Sequence, residues 1–308
     1  MTKIAVFDAK PYDRASFDAA NAGRYAFRYF ETRLTAASVP LAEGCAGVCA
    51  FVNDAVDAAT VEGLVARGVK VLALRCAGYN NVDFKAAFEK GLTVVRVPAY
   101  SPYAVAEHAM ALLMTLNRHL HKAAARTRDF NFSLVGLTGM DLHGKTAGVV
   151  GTGKIGRIFC DICKGLGMRV LAYDAFPNPA SGLDYVTLDR LLAESDVVSL
   201  HCPLTPETHH LFNAETIGMM KPGAFLVNTS RGGLVESGAL LDALRSGRLG
   251  GAGLDVYEEE SDWFYEDRSQ RVNQDKVLAL LVSMPNVLVT SRPVRSCSPT
   301  SQDRERLQ

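Results

Sequence analysis

The 308-residue sequence predicts an α/β protein built from two doubly wound parallel-sheet domains. Three observations carry this. Short apolar runs of strand length alternate with amphipathic stretches, the pattern of a parallel sheet covered on both faces. The alternation comes as two series with a long helix-like stretch between them. A glycine-rich turn opens the second series at a strand-to-helix junction.

In the first series, strands are predicted over 3–8, 47–52, 70–75 and 92–97, and helices over 57–67 and 83–90. The linking stretch, 101–128, reads as one helix. Pro102 suits a first turn, where its missing N–H is no loss. Val105, Ala109, Leu112, Leu113 and Leu116 then recur at helical spacing. In the second series, strands are predicted over 146–150, 169–173, 197–201, 224–228, 251–256 and 287–290, with a helix over 155–165. The expected division is a first domain over 1–100, a second over 101–290 that includes the long helix, and a tail over 291–308. That tail has four arginines and four serines but only Val294, Cys297 and Leu307 as apolar residues, and no periodicity. It is expected to be disordered.

Composition narrows the function classes. With 48% hydrophobic and 21% charged residues, the chain can bury a large core. Its 33 basic residues balance 33 acidic ones, and no basic stripe precedes the tail, which argues against nucleic acid as a partner. The N-terminus runs directly into a strand-like segment without an apolar signal core, and no apolar run is long enough to span a bilayer. Seven scattered cysteines, an odd number, suit a reducing cytoplasm better than a disulfide framework.

Gly151-Thr-Gly153-Lys-Ile-Gly156 follows one predicted strand and opens a helix. In that context the first glycine permits a tight turn, the second lets a pyrophosphate approach the backbone, and the third lets helix and strand pack closely. The helix N-terminus offers unpaired N–H groups and partial positive charge to the phosphates. Asp174 ends the next strand, 23 residues after Gly151. A carboxylate there accepts the ribose hydroxyls of NAD and repels the extra phosphate of NADP; the competing reading is a solvated turn residue. Cys160 and Cys163, three apart on the same helix, read as half-buried helix positions. No second ligand pair accompanies them, so no metal site is expected. His108 reads as a structural position on the long helix, and His201, His209 and His210 as loop residues, of which only His201 lies near the cofactor motif.

Several collinear segments share a further pattern: Arg75-Cys-Ala-Gly-Tyr-Asn-Asn-Val-Asp83, Val97-Pro-Ala-Tyr-Ser-Pro102 with Ala106-Glu-His108, residues 148–156, His201-Cys-Pro-Leu-Thr205, Val227-Asn-Thr-Ser-Arg-Gly232 and Leu254-Asp-Val-Tyr-Glu-Glu-Glu260. Through them the sequence resembles the D-isomer-specific 2-hydroxyacid dehydrogenase family as far as Thr290, closest to its fermentative D-lactate branch. The resemblance implies a flavodoxin-like substrate domain, a Rossmann NAD-binding domain and a homodimer or higher homo-oligomer. It implies hydride transfer between NADH and C2 of a short 2-keto acid, pyruvate in the first place. Glyoxylate, hydroxypyruvate or a bulkier keto acid is the alternative, as is a non-catalytic NAD-binding protein. Arg231 would pair with the substrate's carboxylate and carbonyl, as its planar, permanently charged fork allows. Ala77 and Gly78 would help to hold the carboxylate, and Tyr100 would line the pocket. Lys154 and Ile155 would lie over the pyrophosphate, and Cys202, Pro203, Thr208, Thr229, Ser230 and Asp255 along the cofactor groove. Glu260 would raise the pKa of a catalytic histidine that protonates the carbonyl oxygen.

The pattern breaks after Thr290. The family's strand here is followed by Gly-His-Gln, whose histidine is the general acid, whereas this chain reads Thr290-Ser-Arg-Pro-Val294. Arg292 occupies the histidine position, and none of the seven histidines (108, 119, 121, 143, 201, 209 and 210) lies beyond 210. Arginine holds its proton too tightly for useful donation near neutral pH. The family chain also continues into a helix that returns to the substrate domain. Impaired catalysis is therefore expected. A shifted reading frame near codons 291–294 would produce such a tail, and the nucleotide sequence of the gene tests that hypothesis.

Overall fold

The computed structural model describes residues 1–76, 78–97, 101–259 and 269–290, and the chain divides into two units, Met1–Tyr100 and Ser101–Gln308. Among the described residues, no helix is long and apolar enough to cross a membrane.

The first unit holds strands β1 (Thr2–Val6), β2 (Tyr25–Tyr29), β3 (Gly47–Ala50), β4 (Val71–Leu74) and β5 (Thr93–Arg96), with helices α1 (Pro11–Asn21), α2 (Ala58–Ala66) and α3 (Phe84–Glu89). All strand pairings are parallel, in the order β2-β1-β3-β4-β5, the flavodoxin-like winding. The core gathers Ala5, Phe7, Leu34, Val48, Ala50, Leu64, Leu72 and Leu74. Helices α2 and α3 start where the sequence placed them because Asp57 and Asp83 cap them: each carboxylate accepts an N–H of the first turn, from Thr60 at 2.8 Å and from Ala86 at 2.9 Å. Strand β2 escaped sequence analysis. It is an edge strand of only five residues, half-exposed, and its Tyr-Ala-Phe-Arg-Tyr mixes aromatic and polar side chains without a continuous apolar run.

Asp54 anchors the loop after β3. Its side chain is buried, at 1% exposure, and its two oxygens accept N–H bonds from Leu34 (2.6 Å) and Phe51 (2.5 Å). Burial pushes its pKa up to about 6, although both donors pull it down. Asp54→Ala would strip two buried amides of their acceptor. We expect a loss of about 2–4 kcal/mol from the unit's stability, read as a lower urea midpoint for the first unfolding transition. A midpoint within error of the parent would contradict this.

The second unit contains α4 (Pro102–Asn117), α5 (Leu120–Arg128), β6 (Thr146–Val150), α6 (Lys154–Gly165), β7 (Arg169–Tyr173), β8 (Asp184–Tyr185), α7 (Leu188–Glu194), β9 (Val197–Leu200), α8 (Ala214–Met219), β10 (Ala224–Asn228), α9 (Ser237–Arg245), β11 (Leu249–Leu254), α10 (Lys276–Ser283) and β12 (Val287–Val289). Its sheet, again parallel throughout, runs β8-β7-β6-β9-β10-β11-β12. Strand order reverses between β6 and β9, the topological switch point at which such sheets bind ligands. Leu112, Leu113, Val149, Phe159, Cys160 and Cys163 fill one face, and Leu171, Leu191, Leu226, Leu240 and Leu254 the other.

The single helix expected over 101–128 is in fact two. His119 adopts a left-handed conformation (φ 52°) and separates α4 from α5. The apolar repeat stops at Leu116, and α5 buries no residue. Asn117 finishes α4 buried, exchanging two 2.9 Å hydrogen bonds with the backbone of Met140. The side chain that binds the 139–140 segment thus sits where the helix ends.

Candidate active site

The β6–α6 turn has the geometry its glycines implied. Gly151 sits at φ 91°, where a Cβ would lie 2.5 Å from the Cys202 amide nitrogen. At Gly156 a Cβ would lie within 1.9 Å of the Gly151 carbonyl oxygen, which fixes the close approach of α6 to the turn. Above Gly153 the space is open, with nothing within 4 Å of an added Cβ. Lys154 is exposed and Ile155 half-buried at the start of α6. An open, glycine-floored helix N-terminus fits a pyrophosphate.

Asp174 stands at the end of β7, next to this turn. Its Oδ2 accepts the Thr152 N–H (2.6 Å) and hydroxyl (2.8 Å), and its Oδ1 accepts the Phe176 N–H (2.9 Å). Burial opposes its charge, but these donors outweigh it and hold the carboxyl below the usual carboxylate range. The side chain is therefore ionised and fixed in direction, unlike a solvated turn residue.

After β9, the His201 ring packs on Phe159 with centroids 4.9 Å apart, and its Nε2 lies 2.9 Å from the Ser199 hydroxyl. Burial lowers its pKa to about 3, so the ring is neutral. His201 is thus a packing residue at the glycine turn and not a free loop side chain. Burial pushes the Cys202 thiol up to about 11. Pro203 is exposed, and its carbonyl accepts the Thr208 hydroxyl (2.7 Å), which also accepts the Thr205 N–H (2.8 Å) and so closes the loop.

Thr229, Ser230 and Arg231 follow β10. Thr229 is buried, and the Ser230 N–H reaches the Asn228 side chain at 3.0 Å. The Arg231 backbone carbonyl is held by Asn228 (2.9 Å), while its guanidinium donates to the Ser230 carbonyl at 2.7 Å. Among the described residues, no carboxylate pairs with that guanidinium. Asp255, just past β11, is buried at 2% exposure. One of its oxygens accepts the Thr290 hydroxyl at 2.8 Å and lies 3.1 Å from His108 Nε2, which is itself 3.2 Å from Thr290. This His108–Asp255–Thr290 triangle was not visible in the sequence beyond the Ala106-Glu-His108 segment, because its members are 147 and 35 residues apart.

The ends of β6, β7, β9, β10 and β11 thus bring together Gly151, Gly153, Gly156, Asp174, Cys202, Thr229, Ser230, Arg231 and Asp255 on one edge of the sheet. Gly78 lies in the first unit, where its carbonyl accepts the Cys76 thiol at 3.2 Å. Ala77, Tyr100, Glu260 and Arg292 lie outside the described residues. Cys160 and Cys163, expected to be half-buried, are fully buried, and burial pushes both thiols up, Cys160 to about 12.

Comparison with known proteins agrees with this geometry. Residues 110–292 match the family described as D-isomer specific 2-hydroxyacid dehydrogenase, NAD binding domain. A 2-hydroxyacid dehydrogenase homolog of Haemophilus influenzae is 53% identical over 293 residues, which cover 94% of this chain and 88% of that protein. The D-lactate dehydrogenase of Escherichia coli is 52% identical over 292 residues, covering 94% and 89%. Among solved structures, one described as the pyruvate reductase of Chlamydomonas reinhardtii superposes with a TM-score of 0.87 at 45% identity, covering 94% of this chain and 89% of that one. The flavodoxin-like and Rossmann-type sheets, the glycine turn with its fixed acid and these relatives converge: the chain belongs to the D-isomer-specific 2-hydroxyacid dehydrogenases, the NAD-dependent oxidoreductases of that name.

Proposed function

We propose that this chain reduces pyruvate to D-lactate with NADH, slowly, because Arg292 stands where the general acid belongs. The observation that carries the substrate reading is Arg231, whose guanidinium lies on the cofactor edge of the sheet with no carboxylate partner among the described residues. A short 2-keto acid offers that fork a carboxylate and a carbonyl oxygen side by side. NADH, when bound, supplies the hydride to C2. Gly151, Gly153, Lys154, Ile155 and Gly156 hold the pyrophosphate, and Asp174 the adenosine ribose. Cys202, Pro203, Thr208, Thr229, Ser230 and Asp255 line the way to the nicotinamide. Arg231 orients the keto acid and polarises its carbonyl. The proton must still reach the carbonyl oxygen, and that step falls to a residue of poor acidity or to water; with Arg292 in the histidine position, Glu260 would lack the imidazole that the family pairs with it.

Four apolar side chains in the segment before β6, Phe130, Phe132, Leu134 and Val135, are 71–84% exposed. A soluble chain rarely leaves such a run to water, which supports a homodimer. The six described cysteines are free thiols, as in a cytoplasmic protein.

The assay follows NADH absorbance with pyruvate, glyoxylate, hydroxypyruvate and a branched keto acid, then repeats the best substrate with NADPH. Pyruvate should give the highest kcat/KM, D-lactate the product, and NADPH a far poorer rate because Asp174 is charged. A higher kcat/KM on another keto acid would overturn the substrate, and equal use of NADPH the role of Asp174. Arg292 favours a second reading, a protein that binds NADH without turnover. Tight NADH binding with no turnover on any keto acid, even with the acid restored, would establish it.

A further inference from the structure

His209 and His210 close the loop after β9, and Glu258 lies just beyond β11. Nothing in their spacing joins them, since Glu258 is 48 residues from His210. In the structure, His210 Nε2 is 2.5 Å from Glu258 Oε1. The His209 ring stacks on that of His210, with centroids 3.9 Å apart and planes 28° from parallel. One ligand-competent atom from each of the three falls within 4.8 Å of the other two.

We propose that His209, His210 and Glu258 bind a divalent transition-metal ion, Zn²⁺ in the first instance. Two imidazoles and a carboxylate form a ligand set that suits zinc and leaves a fourth position for water. In a tetrahedral zinc site, bonds of about 2.0–2.2 Å place neighbouring ligand atoms roughly 3.3 Å apart. Binding requires the His209 ring to turn out of its stack on His210, so that both imidazole planes converge on the ion.

The support around the three residues is of the kind that metal ligands have. Glu258 Oε2 accepts the Ser237 N–H at 3.0 Å, which turns Oε1 toward the histidines. Both histidine backbones are tied down, His209 to the Thr205 carbonyl and His210 to the Gly233 carbonyl, each at 2.9 Å. His210 is held at φ 51°, a left-handed conformation that strains a residue with a Cβ. A simple ion pair accounts for His210 and Glu258 but not for His209, whose ring nitrogens have no hydrogen-bond partner among the described residues. One metal ion accounts for all three. The sequence reading weighed a metal site only at Cys160 and Cys163.

The test uses the full untagged chain, stripped with a chelator and titrated with Zn²⁺ by calorimetry and with Co²⁺ by visible absorption. We expect one ion per chain and, for Co²⁺, the d–d bands of a low-coordinate site. His209→Ala, at an exposed position, should weaken binding at least about tenfold, and Glu258→Gln likewise. His143→Ala, an exposed histidine elsewhere, should change nothing. Circular dichroism verifies that each variant folds. Absence of binding, or binding that His209→Ala leaves unchanged, would overturn the proposal. Because the readout is metal binding and not turnover, its failure is independent of the dehydrogenase reading.

Discussion

Replacing Ser291, Arg292 and Pro293 by Gly, His and Gln should raise NADH-dependent pyruvate reduction by about 10²–10⁴-fold, the usual worth of a positioned general acid. The reasoning starts from chemistry. Hydride arrival at C2 leaves negative charge on the carbonyl oxygen, and a group that can surrender a proton near neutral pH removes it. Guanidinium cannot, because its pKa lies far above that range, although its charge can still polarise the carbonyl. Arg292→His alone should recover part of the gain. Glu260→Gln should lower the rate of the restored chain and leave that of the parent almost unchanged, since only the former has an imidazole for Glu260 to charge. A parent chain as fast as the restored one would show that another group delivers the proton. The cofactor and substrate residues on the sheet edge would stand, but the role given to residue 292 would not.

The second large effect concerns the fold. At Gly232, just after Arg231, a Cβ would lie within 1.8 Å of the Tyr257 carbonyl oxygen, 2.0 Å of its carbon and 2.5 Å of the Glu258 nitrogen. All three are backbone atoms, so no rotamer change relieves the clash, and the segments after β10 and β11 must part. Gly232→Ala should cost about 3 kcal/mol or more, a large fraction of a domain's stability of about 5–15 kcal/mol, and it should displace Arg231. Gly153→Ala makes the contrast. Its Cβ meets nothing within 4 Å, so stability should hold while NADH affinity falls at least about tenfold, the pyrophosphate's place being taken. Urea denaturation and NADH titration of the two variants separate these effects. A Gly232→Ala chain within about 1 kcal/mol of the parent would show that the two segments yield easily.

What could be read from the sequence follows from range. Strands buried on both faces announce themselves as continuous apolar runs, and capped helices such as α2 and α3 by Asp57 and Asp83. The glycine turn and the places of Asp174 and Arg231 at strand ends were legible because local motifs carry them. Strand β8 was not, being two residues long. The break at His119 was hidden because a helix end set by Asn117 and Met140 depends on a partner 23 residues away. The His108–Asp255–Thr290 triangle and the His209–His210–Glu258 cluster were hidden for the same reason on a larger scale. Local pattern names elements, and only the winding of the sheet says which loops meet.

The first unit is one uninterrupted stretch, residues 1–100, whose five strands are all present once Arg96 has been made. During synthesis at about 5–20 residues per second, the roughly 200 residues of the second unit take a further 10–40 s. Small domains fold within about a second or faster. The flavodoxin-like unit is therefore free to close its sheet while the glycine turn does not yet exist.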